Sequence, residues 1–158
     1  MSQPLETKQF FADVARYSKH MPQTTDSTLL VLKGHLLLEE LLNKLIAQYL
    51  VKPAALKDAR LETHQKLCLA EALLHNHAHP WVWTALKKLN TIRNHFAHDL
   101  EPKGIEDRLA DFQSFVEDNR DKSPGLRSVL KGAPLKLALG DLHIQLLILL
   151  HHHELRGA

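Results

Sequence analysis

Between Thr28 and Val51, the residues Val31, Leu38, Leu41, Leu42, Leu45, Ile46 and Tyr49 fall at helical spacing. That period puts them on one broad stripe of an α-helix. Lys33, Glu40, Lys44 and Gln48 line the opposite side. Glu40 precedes Lys44 by one turn, the favourable order for an ion pair along a helix. Asp26 or Ser27 is placed to cap the start, and Pro53 ends it. A helix this long, apolar along one stripe, must be covered by other elements. The chain has no β-alternation of useful length, no internal repeat and no low-complexity tract to offer instead. Leu dominates the apolar content, and glycine is scarce at six residues. The expectation is therefore an all-α bundle of about five or six helices, forming one domain over residues 1–158.

The covering elements can be read in order. Residues 1–20 suggest a leading helix with Leu5, Phe10, Phe11, Val14 and Ala15 as its apolar side, followed by a capping and turning linker at 21–27. A second long segment starts at Ala55 or Leu61 and runs to His75. Leu67, Ala70 and Leu74 share one side of it, while Leu69 and Leu73 sit on another, the pattern of a helix buried on two sides. Pro80 opens the next helix at its first turn, with Trp81 and Trp83 at its entrance as core or interface residues. Val82, Leu86, Leu89, Ile92 and Phe96 form its stripe. Ile105, Leu109, Phe112 and Val116 mark another helix, ending near Asn119. Glu106 and Asp107 suit its first turn, where carboxylates favour the helix dipole. Residues 121–125 read as a turn, and 126–133 are ambiguous. Pro134 opens a last helix to about residue 155, with Leu135, Leu139, Leu142, Leu146 and Leu149 on one stripe. Its remaining apolar residues make it either central or half of a dimer seam.

Charge and cysteine content narrow the function. A net charge of +2 gives no strongly basic surface of the kind that grips duplex DNA. The single cysteine, Cys68, excludes an internal disulfide and fits a reducing cytoplasm. Among Leu67, Leu69 and Ala70 it reads as a buried, inert thiol. Residues 1–11 contain no apolar signal-peptide core. The longest apolar run, Ile144–Leu150, is too short to cross a bilayer, so no membrane partner is expected. Twelve histidines are a heavy load. His75 and His79 are one turn apart, as are His64 and Cys68, but no spacing supplies the three or four convergent ligands of a metal site. These are read as surface histidines, with no metal or cofactor expected. The run His151-His152-His153 is read as native.

One segment carries chemistry: Arg93-Asn94-His95-Phe96-Ala97-His98. Arginine offers a permanent charge and a planar fork of donors that suits phosphate. Histidine takes or gives a proton near neutral pH, and Asn94 can hold either partner by hydrogen bond. On a regular helix Lys87, Thr91, Asn94 and His98 share the polar face. Arg93 lies instead on the flank of the apolar stripe, about 40° from Leu89. A guanidinium there gains nothing from solvent and implies a specific anionic partner. Arg93 and His98 stand about 140° apart on the same wheel. To meet one phosphate, the helix must distort, Arg93 must reach around, or a second protomer must complete the site.

The spacing of an arginine, a polar residue, three further residues and a histidine at the end of a late helix resembles the HEPN superfamily of all-helical domains. The residues before it, Leu86-Lys87-Lys88-Leu89-Asn90-Thr91-Ile92, and the upstream helix at Lys33-Gly34-His35-Leu36-Leu37-Leu38-Glu39-Glu40-Leu41-Leu42 look similar too. The resemblance covers about residues 28–118. It implies a metal-independent endoribonuclease acting as a homodimer, with RNA as substrate. Arg93 would hold the scissile phosphate, His98 would act as general base or acid, and Asn94 would orient one of them. It also implies a toxin or antiviral-defence role, with a cognate antitoxin as a partner. One toxin branch has a tyrosine where this chain has Leu100, which argues against that branch. The Phe-Ala-His ending looks like branches near the mannitol operon repressor family, some of which are regulators. The alternative is thus a non-catalytic regulator or interaction module in which Arg93 makes a structural ion pair.

Overall fold

The computed structural model describes residues 3–122 and 130–156, with side chains from 8 to 122 and from 130 to 152. Residues 123–129, which hold part of the expected turn and the first half of the ambiguous stretch 126–133, lie outside those residues. Seven helices and no strand occur among the described residues: α1 (Gln3–His20), α2 (Ser27–Gln48), α3 (Ala54–Lys57), α4 (Thr63–Leu74), α5 (Pro80–His98), α6 (Ile105–Asn119) and α7 (Pro134–Arg156). The chain is an all-α bundle.

Helix α2 begins where its cap dictates. The Asp26 carboxylate accepts the backbone N–H of Thr28 at 2.9 Å and of Leu29 at 3.3 Å. Such a cap contributes about 1 kcal/mol by satisfying donors that the first turn leaves unpaired. The stripe that begins at Leu30 and Val31 and runs through Leu38, Leu41, Leu42 and Leu45 to Ile46 is buried along its length. Its most extensive partner is α7. Gly34 makes that closeness possible, because a Cβ there would meet Leu139 Cδ1 at 2.9 Å. Leu139, Leu142, Leu146 and Leu147 of α7 are fully buried. Each such side chain contributes about 1.5–3 kcal/mol. The last helix is therefore the central pillar of this chain. Its apolar surface is used within the chain and supplies no argument for a dimer seam. By length and composition alone it passes for a membrane span, as core helices do, and 61% of the apolar window is buried.

Helix α1 packs on α7 through Phe10 and Val14, as expected, but not through Phe11 or Ala15; the side chain of Leu5 lies outside the described residues. Val14, Tyr17 and Met21 are buried and Phe10 joins them, whereas Phe11 is 50% exposed and Ala15 faces solvent. The ring of Tyr17, absent from the expected apolar side, lies over the buried His143 ring with centroids 4.3 Å apart. One turn on from Phe10, His151 Nε2 donates to Asp13 Oδ2 at 3.0 Å. At least this member of the histidine run is thus part of the fold.

Of the two starts expected for the helix that runs to His75, the structure takes the later one: α4 begins at Thr63, and Ala55 lies in a separate short helix. A single helical turn, α3, is followed by Arg60 in the left-handed region at φ 48°. That conformation costs a non-glycine residue roughly 1–2 kcal/mol. The chain then restarts at a capping box in which Gln65 Oε1 accepts the Glu62 N–H at 2.9 Å. In α4, Leu67, Ala70 and Leu74 are buried while Leu69 and Leu73 are half-buried. Cys68 points the other way and is exposed, 3.7 Å from His64 Nε2. Its apolar sequence neighbours turn inward, and one step along a helix turns the next side chain about 100° away from them.

Helix α5 starts at Pro80 and packs between α4 and α6 with its inner face on α2 and α7. Lys87 pairs with Glu71 of α4, and Lys88 Nζ lies 2.7 Å from Asp111 of α6. Trp83 is buried and Trp81 half-buried against the core. The helix stays regular to His98, where Asp99 N–H closes it on His95 O at 2.9 Å. Gly104, at φ 68°, turns the chain into α6 in a conformation that a side chain would strain.

Candidate functional site

The last turns of α5 hold all three expected site residues, and their surroundings differ sharply. Arg93 is half-buried, while Asn94 and His98 are exposed. The Arg93 guanidinium donates from Nη1 to Asn94 Oδ1 at 3.2 Å. No carboxylate lies within ion-pair reach of it among the described residues. The helix does not distort, so the faces of Arg93 and His98 remain about 140° apart. Asn94 stands between them, about 40° from His98. Its amide oxygen holds the guanidinium, while no contact joins Arg93 to His98 among the described residues. His98 makes no side-chain hydrogen bond or ion pair among the described residues. His95 is steered separately, with Nδ1 3.8 Å from Asp99 Oδ2, too long for a hydrogen bond. Asn94 and His98 thus stand on an open helix surface.

Behind this surface is a polar joint that sequence reasoning did not find. His35 of α2 is only 4% exposed. Its Nε2 lies 3.1 Å from Oδ1 of Asn90, also buried, on α5 one turn before Arg93. With the amide oxygen as acceptor, Nε2 carries the ring proton. Burial is the main force on His35 and holds its pKa below the ordinary value. The Arg93 and Lys66 charges add to that, while the Asn90 bond and Glu39 oppose it. His35 is therefore neutral at neutral pH. Its Nδ1 faces Glu39 Oε2 at 3.9 Å. Glu39 accepts from Lys66 Nζ of α4 at 2.7 Å. Burial pushes the Glu39 carboxyl up, but the hydrogen bond and charge of Lys66, with smaller contributions from His35 and Thr63, outweigh it and leave its pKa lowered. The ion pair thus ties α2 to α4, and the His35–Asn90 bond ties α2 to α5 directly beneath Arg93. The only signal in the sequence was two polar residues on otherwise apolar faces, too far apart in the chain for spacing to pair them.

No group of three or more metal-ligating side chains converges among the described residues. His75, His77 and His79 are exposed. No family model matches the chain, and no curated protein or solved structure matches it either.

Proposed function

We propose that this protein is a metal-independent RNA endonuclease of toxin or antiviral-defence type that works as a homodimer in the cytoplasm. The observation that carries the reading is the state of Arg93: half-buried, bonded only to the Asn94 amide, and without a carboxylate among the described residues. A guanidinium held this way is prepared for an anion from outside the chain. His98, exposed and unpaired five residues on, is the group able to move a proton beside that anion. The resemblance to HEPN domains supports the same assignment.

In this reaction the ribose 2′-oxygen attacks phosphorus as the bond from phosphorus to the 5′-oxygen breaks. His98 takes the 2′-hydroxyl proton, and the same residue of a second copy supplies a proton to the leaving 5′-oxygen. Arg93 stabilises the charge that builds on the non-bridging oxygens. The products are a 2′,3′-cyclic phosphate and a 5′-hydroxyl. RNA, a second copy of the chain and a neutralising antitoxin are the partners this reading implies.

One observation favours the second reading, a non-catalytic regulator or interaction module. The Arg93 and His98 faces diverge, and Asn94 and His98 stand exposed on the helix surface. Incubation with total RNA in excess EDTA separates the two. The wild type should give fragments ending in cyclic phosphate, and His98→Ala, folded by circular dichroism, should lose at least about a hundredfold in rate. A folded dimer that cuts no RNA, with metal chelated or supplied, would refute the nuclease and leave the regulator.

A further inference from the structure

A cavity of about 350 Å³ opens between the C-terminal half of α2, α3 and the start of α4. That is within the range of small-molecule sites, about 300–1,000 Å³. Its walls are mainly apolar: Ile46 and Leu50 on one side, and Pro53, Leu56 and Leu61 on the other. Three cations also line it, Lys57, Arg60 and Lys66, and no carboxylate does. Lys66 is already engaged, with its ammonium on Glu39. Lys57 and Arg60 have no ion-pair partner among the described residues. Arg60 is moreover the one non-glycine residue with a left-handed backbone among them, and that strained turn sets it at the wall of an apolar hollow. Lys57 and Arg60 are both exposed, so their charges stand at the mouth of the hollow while Ile46 and Leu56 form its deeper wall.

We propose that this cavity binds a small amphiphilic carboxylate. Its apolar body lies against Ile46, Leu50 and Leu56, and its carboxylate is held by the Arg60 fork with Lys57 beside it. The apolar walls disfavour a small, strongly hydrated anion, which would leave them wet. The cations disfavour a neutral or cationic body of the same shape. None of Arg93, Asn94 and His98 lines the cavity, so the proposal stands apart from the nuclease reading.

Calorimetric titration with octanoate tests it, with acetate, octylammonium and octyl phosphate as comparisons. Octanoate should bind at least about tenfold more tightly than each of the others. Arg60→Gly is the informative variant, because glycine accepts φ 48° without strain. Its thermal stability should equal or exceed that of the wild type while its octanoate affinity falls at least about tenfold. Leu56→Asp should abolish binding, and His98→Ala should leave it unchanged. Equal binding of octylammonium, undiminished binding by Arg60→Gly, or no heat with octanoate would overturn the proposal. Tighter binding of octyl phosphate would overturn the carboxylate assignment.

Discussion

Replacing Asn90 with leucine tests the polar joint beneath Arg93 most directly. The side chains are close in size, so the change removes the acceptor of the His35 Nε2 proton without opening a large void. A buried donor stripped of its acceptor costs about 1–3 kcal/mol. Moving the ring proton to Nδ1 offers no escape: Glu39 Oε2 is 3.9 Å away, and Nε2 then becomes the unpaired atom. His35→Leu strands the Asn90 amide in the same way, at a similar cost. The double variant strands nothing and should lose less than about 1 kcal/mol. The singles should therefore sum to well over the double, with a coupling of at least about 1.5 kcal/mol. In a chain of this size each single variant should melt about 4–8 °C lower for a 2 kcal/mol loss. Urea unfolding at one fixed protein concentration measures all four species, which keeps any self-association constant. Additive singles, with coupling below about 0.5 kcal/mol, would show that the joint is not a buried bond but a solvated contact.

Acid should weaken the α1–α7 seam. Burial pushes His143 down to about 4, with Asp13 and Glu40 raising it and Arg16 and Lys44 lowering it. A depressed histidine contributes stability in full above its unfolded value of about 6.5, and that stability is lost as pH falls from there toward the folded value. Lowering pH from 7 to 4.5 should cost about 2 kcal/mol from this residue. His35, also lowered by burial, adds in the same direction. Urea unfolding of His143→Phe at both pH values should show a shallower dependence, and an unchanged slope would refute the assignment. Gly34→Val should destabilise by at least about 2 kcal/mol, because the added carbons meet the fully buried Leu139. A neutral melting temperature for that variant would contradict the close approach of α2 and α7.

Helical period alone placed α2, α5, α6 and α7, since each presents a sustained apolar stripe with a proline, a cap or an acidic first turn at its start. It failed where the deciding fact is a single backbone conformation or a partner distant in the chain. The break at Arg60 has neither glycine nor proline to announce it, so the start of that helix stayed open between Ala55 and Leu61. Cys68 looked buried because its neighbours are apolar, although the helix turns it outward. The apolar side of α1 was legible at Phe10 and Val14, but it took in the exposed Phe11 and missed Tyr17, which has the His143 ring to lie on. The Arg93 and His98 spacing was legible because local sequence sets it. The Arg93–Asn94 bond depends on a rotamer, and the His35–Asn90 joint on how two helices meet. Neither leaves a trace in spacing.

The place of α7 has a consequence for synthesis. The helix that fills the centre of the bundle is the last to leave the ribosome among those described. Until residues 134–150 have emerged, the stripe of α2 has α4 and α5 to pack on but lacks its most extensive partner. A message cut short anywhere upstream of Pro134 yields a chain that exposes Leu38, Leu42 and Leu45 to chaperones and proteases. The Arg93–His98 segment, though already translated, then rests on α2, α4 and α6 without the helix that completes the centre. Quality control of the translated product is thus written into the order of the helices.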